Sequence, residues 1–293
     1  MLDISMEEPI ILSTWVEEHK ASFQPPICNK LMHKKDLSVM FVGGPNSRTD
    51  FHIDESSEFF FQIRGNMNLA IIERGKRKIV HIKEGQVFLL PSRVPHSPQR
   101  PEADSLGLVI ERKRQTESEF DALRWYTDFD TCETVQYEHF FVCNDLGTDL
   151  VTVVKDYNKF MAETGGKDFE RSKNPLIVDD VDVVVPAPFY VNDWLDTHSS
   201  SLDSGATISL INDDHPENEF RVFISSEASF PLDASCFEVF VYQVRNAANL
   251  QCRDRKVRLD ESACFVLPRG SIWTLSPDSI DSRTLCLFTK IDG

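Results

Sequence analysis

Residues Glu58 to Leu69 read EFFFQIRGNMNL, and residues Val239 to Leu250 read VFVYQVRNAANL. Laid over each other without a gap, Gln62 meets Gln243, Arg64 meets Arg245, Asn68 meets Asn249 and Leu69 meets Leu250. Phe88-Leu89-Leu90-Pro91 meets Phe265-Val266-Leu267-Pro268 in the same way. The offset is 181 (62 to 243) in the first pair of segments and 177 (88 to 265) in the second, so the later copy carries a loop four residues shorter. Such an internal repeat predicts two copies of one small β unit.

The sequence around these blocks agrees. Leu37–Val42, Glu58–Arg64, Asn68–Glu73, Lys78–Ile82, Val87–Leu90 and Leu106–Glu111 are short β-favouring runs. Gly43-Gly44-Pro45-Asn46, Gly65-Asn66, Arg74-Gly75-Lys76, Glu84-Gly85 and Pro98 to Pro101 separate them. Short strands at this spacing predict an antiparallel sandwich or barrel, not alternating βαβ units. A short helix is expected over Thr14–Ser22, stopped by Pro25-Pro26. Leu146, Leu150, Val153, Val154, Tyr157 and Met161 recur at steps of three and four, the buried face of an amphipathic helix that closes the first half. A second short helix is expected around Asn192–His198. The organisation that follows is a first domain over 1–165, a linker over 166–190 and a second domain over 191–293.

With 293 residues, 41% of them hydrophobic and 27% charged, the chain can bury a core and is neither disordered nor fibrous. Lys and Arg number 31 against 47 Asp and Glu, a net charge of −16 that repels phosphate backbones and argues against nucleic-acid and anionic-membrane partners. The acidic start, MLDISMEEPI, is unlike a secretory signal, and no apolar run approaches the roughly 20 residues of a membrane span. The expectation is a cytoplasmic protein. Its seven cysteines lie at least eleven positions apart, so no CxxC pair offers a structural zinc or iron-sulfur site, and they read as free, packed thiols.

Chemistry concentrates in the first copy. Glu58 follows His52 by six positions and Gly65 follows by seven more; Gly85 precedes Pro91 by six and His96 by eleven. The remaining histidines, His19, His33, His81, His139, His198 and His215, lack such company and read as surface or hydrogen-bonded residues. The His52, Glu58 and His96 set resembles the two motifs of the cupin superfamily, with Asp54 standing where many cupins carry a second histidine. VGGPNSRTDFHIDESSEFFFQIRGNM, LLPSRVPHSPQR and FQPPICNKLMH are in turn similar to the 3-hydroxyanthranilate 3,4-dioxygenase family, over about residues 10 to 160. The second copy after a helical linker resembles its eukaryotic, two-cupin form.

The resemblance implies a mainly β fold of two tandem cupin (double-stranded β-helix, jelly-roll) barrels with a few flanking helices. It implies an Fe(II) site held by His52, Glu58 and His96. Two imidazoles and one carboxylate leave three positions of an octahedral ion open, suiting non-haem iron oxygenases: two for an o-aminophenol and one for O2. The implied reaction opens the ring of 3-hydroxyanthranilate to 2-amino-3-carboxymuconate semialdehyde, the precursor of quinolinate in NAD synthesis from tryptophan through kynurenine.

By the same match Arg48 and Glu58 are catalytic, with Arg48 beside the bound oxygen. Arg100 takes the substrate carboxylate, and Glu111 positions Arg100 and the substrate. An extra residue between Arg100 and Glu111 shifts the spacing of Glu111 from the family pattern. Phe60, Val42 and Asn29 form pocket walls, with Asn29 near the mouth.

On the repeat alignment His52 corresponds to Asp233, Glu58 to Val239 and His96 to Trp273, so the second copy is expected to hold no metal. It is expected to cover the first barrel as a subunit does in a cupin dimer, giving a monomer. The residues alone leave open a non-catalytic cupin that binds a metal or small acid, and a sugar-phosphate isomerase on the same barrel.

Overall fold

The computed structural model describes residues 8–24, 28–114, 119–143, 146–211, 219–227 and 230–289. Pro25, Pro26, His215 and the first seven residues lie outside them. In chain order the first elements are β1 (Ile10–Ile11), α1 (Leu12–Glu18), a 3-10 turn (Lys20–Phe23), β2 (Asn29–Lys34), β3 (Leu37–Gly43) and β4 (Asp50–Ile53). Next come β5 (Glu58–Arg64), β6 (Met67–Glu73), β7 (Lys76–Ile82), β8 (Gln86–Leu90), β9 (His96–Gln99), β10 (Leu106–Arg112), β11 (Asp121–Tyr126), β12 (Val135–Phe141) and α2 (Leu146–Thr164). They are followed by β13 (Phe189–Tyr190), α3 (Val191–Thr197), α4 (Ser199–Asp203), β14 (Thr207–Ser209), β15 (Phe220–Ser225) and β16 (Phe230–Ala234). The chain ends with β17 (Val239–Arg245), β18 (Ala248–Cys252), β19 (Arg255–Leu259), β20 (Ala263–Leu267), β21 (Ser271–Pro277) and β22 (Arg283–Thr289).

Two compact units result. One comprises residues 22–30 and 40–189, the other residues 1–21, 31–39 and 190–293. Two sheets, drawn mostly from the first unit, run β13-β8-β5-β10-β3-β2 and β12-β11-β4-β9-β6-β7; within β2 and β3, residues 31–34 and 37–39 belong to the other unit. Phe60, Leu69, Ile71, Phe88, Leu90 and Val109 fill the first unit's core. In the other the sheets run β1-β20-β17-β22-β15-β14 and β16-β21-β18-β19, around a core that includes Leu232, Val241, Leu250, Phe265 and Trp273. Each unit is an antiparallel jelly roll of the kind the repeat predicts.

The repeat is exact in register where the sequences align. Glu58 pairs with Leu90 and Phe60 with Phe88; Val239 pairs with Leu267 and Val241 with Phe265. Gly65 closes the β5–β6 turn at φ 65°, and a Cβ there would lie 2.9 Å from the Glu102 carboxylate and 3.0 Å from the Ser105 side chain, so the position needs glycine.

Helix α2 packs Leu150, Val153, Val154 and Tyr157 against Leu123 and Trp125, the face its periodicity predicts, and Tyr157 stacks on Trp125 at 4.2 Å and 8°. Residues 165–188 contain neither helix nor strand, yet Ile177, Val183 and Val185 are buried in the first unit's clusters. Buried Arg124 reaches this stretch, donating to Glu138 at 2.6 Å and to both oxygens of Asp179 at 2.6 and 2.8 Å. Among the described residues, no helix is long and apolar enough to cross a membrane.

Candidate functional site

Strands β4 and β9 pair through one couple, His52 directly opposite His96, which puts both rings on one face of their sheet with centroids 5.2 Å apart. Glu58 opens β5 in the facing sheet, and the two-residue alternation that turns Phe60 into the core turns Glu58 the same way. His96 Nε2 lies 3.0 Å and His52 Nδ1 3.7 Å from Glu58 Oε1, and all three side chains are buried.

The outer nitrogens are occupied. His52 Nε2 donates to Asp121 Oδ2 at 2.8 Å, and His96 Nδ1 donates to the Val94 carbonyl at 2.9 Å. Each ring therefore turns its other nitrogen toward Glu58, and a carboxylate or carbonyl behind a ligating histidine is the usual support of a metal site. Glu58 Oε1 itself is buried without a hydrogen-bond partner. Leaving a carboxylate oxygen so costs several kcal/mol unless a charge faces it, and a divalent cation among the three side chains removes that cost. The donor set fits a metal, and these atoms lie within 4.8 Å of one another.

Electrostatics follow from the same packing. Burial disfavours the charged form of all three groups, but opposite charge outweighs it: the Glu58 carboxyl is pushed well below its usual range by the two imidazoles, and His96 is raised by Glu58. Its hydrogen bond to Asp121, with the carboxylates of Glu58 and Asp54 close by, takes His52 up to about 10 against its burial. Asp54 and Asp121 also converge on His52, but Arg114 already supplies the cation there. It donates to Asp54 at 3.2 Å, to Asp121 at 2.6 Å and to Glu111 at 3.2 Å. Burial still lifts the Asp54 carboxyl to about 8 and raises Glu111.

A pocket of about 550 Å³ opens onto the triad. Every residue singled out from the sequence lines it: Arg48, Arg100, Glu111, Phe60, Val42 and Asn29 join His52, Glu58 and His96. Arg48 is half-buried and clamped by both carboxylate oxygens of Asp50. Arg100 is only 1% exposed. Its backbone is pinned by reciprocal 2.8 Å bonds with Asn46, and its Nη1 donates to Gln62 Oε1 at 2.7 Å. Among the described residues its Nε has no partner, and burial lowers its pKa to about 10 with no carboxylate raising it in return. A buried guanidinium without a counter-charge is a seat for an anion.

The acceptor beside Arg100 is thus Gln62, while Glu111 bonds Arg114. Sequence reasoning missed Asp50, Gln62, Arg114 and Asp121, and also the α2 side chains Leu150 and Val154 that line the pocket. The α2 periodicity signalled Leu150 and Val154, and the repeat marked Gln62 without its role.

In the second unit the counterpart of His96 is Trp273, fully buried in the core. Strand pairing sets Leu232 opposite Trp273, and Asp233 opposite Ile272. The position matching His52 is therefore Leu232, one residue before the Asp233 that a constant offset indicates, and Asp233 is exposed. The strand ending at Ala234 has slipped by one residue relative to β17, which reverses the face of each side chain.

The family model for 3-hydroxyanthranilic acid dioxygenase matches residues 4–158. The 3-hydroxyanthranilate 3,4-dioxygenase of Mus musculus is 38% identical over 278 residues, covering 94% of this chain and 95% of the relative. The enzyme of the same name from Nematostella vectensis is 44% identical, covering 88% and 90%. A cupin 2 conserved barrel domain protein from Leptotrichia buccalis superposes over 99% of this chain and 100% of its own, with a TM-score of 0.51 at 9% identity, a likeness of fold alone. With the family model matching residues 4–158 and 94% of the chain aligned to a relative of that name at 38% identity, the chain belongs to the 3-hydroxyanthranilic acid dioxygenase family.

Proposed function

We propose that this protein is an Fe(II)-dependent dioxygenase that opens the ring of 3-hydroxyanthranilate with O2, both oxygen atoms entering 2-amino-3-carboxymuconate semialdehyde, the quinolinate precursor. The observation that carries this reading is a buried two-histidine, one-carboxylate set beside a buried arginine that lacks a counter-charge. His52, Glu58 and His96 would hold the iron, which supplies open positions for the aminophenol and O2 and electron transfer between them.

The chain's own residues do the rest. Arg100 binds the carboxylate through its planar fork, orienting the ring with hydroxyl and amine toward the triad. Arg48, held by Asp50, presents a second cation where oxygen reacts. Glu111, kept in place by Arg114, accepts a hydrogen bond or proton from the substrate. Phe60 and Val42 form the apolar walls that exclude water, and Asn29 sits at the mouth.

The second unit reads as structural and metal-free. The catalytic cupin corresponds to the unit of residues 22–30 and 40–189 and the degenerate cupin to that of residues 1–21, 31–39 and 190–293, where the sequence alone predicts a catalytic domain over 1–165, a linker over 166–190 and a second domain over 191–293. The protein is proposed to be a cytoplasmic monomer. A non-catalytic metal or acid sensor would share the triad but would not need Arg48, Arg100 and Glu111 around one pocket. His52→Ala, Glu58→Ala and His96→Ala test the reading. Each is expected to lose bound iron and ring opening while keeping its circular dichroism spectrum; full turnover by an iron-free variant would overturn it.

A further inference from the structure

Arg100 reaches the pocket across strand β10, and it does so over a residue with no side chain. Gly107 pairs with Gln62 in the β10–β5 register. A Cβ on Gly107 would lie 2.7 Å from Arg100 Nη2, 2.8 Å from Arg100 Nη1 and 2.7 Å from Gln62 Oε1. Real Cβ atoms do not approach so closely, so a side chain at 107 forces the guanidinium, the Gln62 amide or both to shift from these positions.

The internal repeat shows what the other choice looks like. In the second unit Thr284 pairs with Gln243, as Gly107 pairs with Gln62. The amides are held alike: Gln62 Nε2 donates to the Arg64 carbonyl at 2.9 Å and Gln243 Nε2 to the Arg245 carbonyl at 3.0 Å. Each therefore offers its Oε1 to the same place. In the second unit Thr284 Oγ1 takes that acceptor at 2.7 Å; in the first, Arg100 Nη1 takes it at 2.7 Å. Asn68 pairs with Gln99 and Asn249 with Ser276, so the position after them is Arg100 in one copy and Pro277 in the other. One copy has a glycine, an arginine and the pocket; the other has a threonine and a proline at these positions, with Trp273 buried at the place of His96.

We infer that Gly107 and Gln62 together are the seat that positions Arg100, and that they determine the pocket's selectivity for an aromatic ring bearing a carboxylate. Gln62 serves because it is neutral: it accepts from the guanidinium without cancelling its charge, leaving that charge for the ligand. This inference rests on the assignment of Arg100 to the substrate carboxylate.

The test uses the Fe(II)-loaded full-length protein under anaerobic conditions, measuring dissociation constants for 3-hydroxyanthranilate and for 2-aminophenol, which lacks the carboxylate. Gly107→Thr, which installs the second copy's residue, is expected to weaken the acid by about 30-fold or more, as for loss of one partner of a buried charge pair. Its dissociation constant for 2-aminophenol should move less than about threefold, under half of one tenfold step, since that ligand has no carboxylate to lose. Gln62→Glu keeps the size of the side chain and supplies an anion to Arg100, and the same selective loss is expected should Gly107→Thr fail to fold. Wild-type affinity for the acid in either folded variant, or equal weakening of both ligands, would overturn the inference. Arg100→Met separates the two readings: if it binds the acid as well as wild type does, the carboxylate assignment itself fails.

Discussion

His52 Nε2 lies 2.8 Å from Asp121 Oδ2, a carboxylate 69 residues later in the chain that also receives Arg114. Strand β11 brings it there by pairing with β4, Leu123 opposite His52, so the partner of a ligand is set by the neighbouring strand and not by the motif. The bond decides which nitrogen of His52 faces Glu58.

Asp121→Asn keeps the shape but loses the charge that fixes the His52 tautomer. Affinity for Co(II), measured by competition with a chelator, is expected to fall by about 10- to 100-fold. An unchanged Co(II) affinity would remove Asp121 from the metal's support.

The pH dependence of kcat/KM carries a second prediction. Burial lowers Arg100 to about 10, and the group is cationic below that value and neutral above it. The carboxylate seat is therefore intact through neutral pH and lost as pH rises through about 10, so kcat/KM should fall toward tenfold per pH unit above it. Substrate ionisation would persist in Arg100→Met, so comparing the two profiles isolates the arginine. A break of the same size in both would refute the assignment.

Arg124 is a buried cation between Glu138 and Asp179. Removing it leaves the Glu138 carboxylate buried with less compensation, and Arg124→Ala is expected to cost about 3–5 kcal/mol of stability in urea unfolding. Because Asp179 belongs to the stretch without regular structure, limited proteolysis should also cut between 166 and 185 much faster in the variant. Equal cutting rates would mean that buried Ile177, Val183 and Val185 hold the stretch without Arg124.

Tyr157 stacks on Trp125 and its hydroxyl donates to Gln136 at 3.2 Å. Tyr157→Phe keeps the stack and should be near neutral, whereas Tyr157→Ala should lower stability by about 2–4 kcal/mol, near the low end for removing a packed aromatic. It should also raise KM, since α2 supplies the Leu150 and Val154 walls. Parallel measurement of unfolding and KM checks both parts.

Much of this was legible in the sequence because it rests on local pattern. The β5 boundaries, the β6–β8 hairpins and the α2 face follow from alternation, turn glycines and helical spacing. Strands β4 (DFHI) and β9 (HSPQ) were not legible, because their inward positions carry ligands and a proline instead of alternating apolar residues. Strand β11 was hidden similarly, since its Asp121 and Arg124 are buried polar residues. The triad and both arginines lie within two short motifs. Asp121, Gln62 and Gly107 act through cross-strand partners 38 to 69 residues away; the repeat marks Gln62 but not its partner, and nothing at the other two positions marks them. The one-residue slip at Leu232 was invisible for the same reason: a repeat alignment carries offsets, not strand register.

The most direct measurement is anaerobic reconstitution with Fe(II), followed by 3-hydroxyanthranilate and air, with oxygen uptake and the near-ultraviolet absorbance of the ring-opened product recorded together. One O2 consumed per substrate, with that product, is the expected result. Tight binding of the substrate to the iron-loaded protein without oxygen uptake would contradict the dioxygenase reading and leave a metal- and acid-binding cupin in its place.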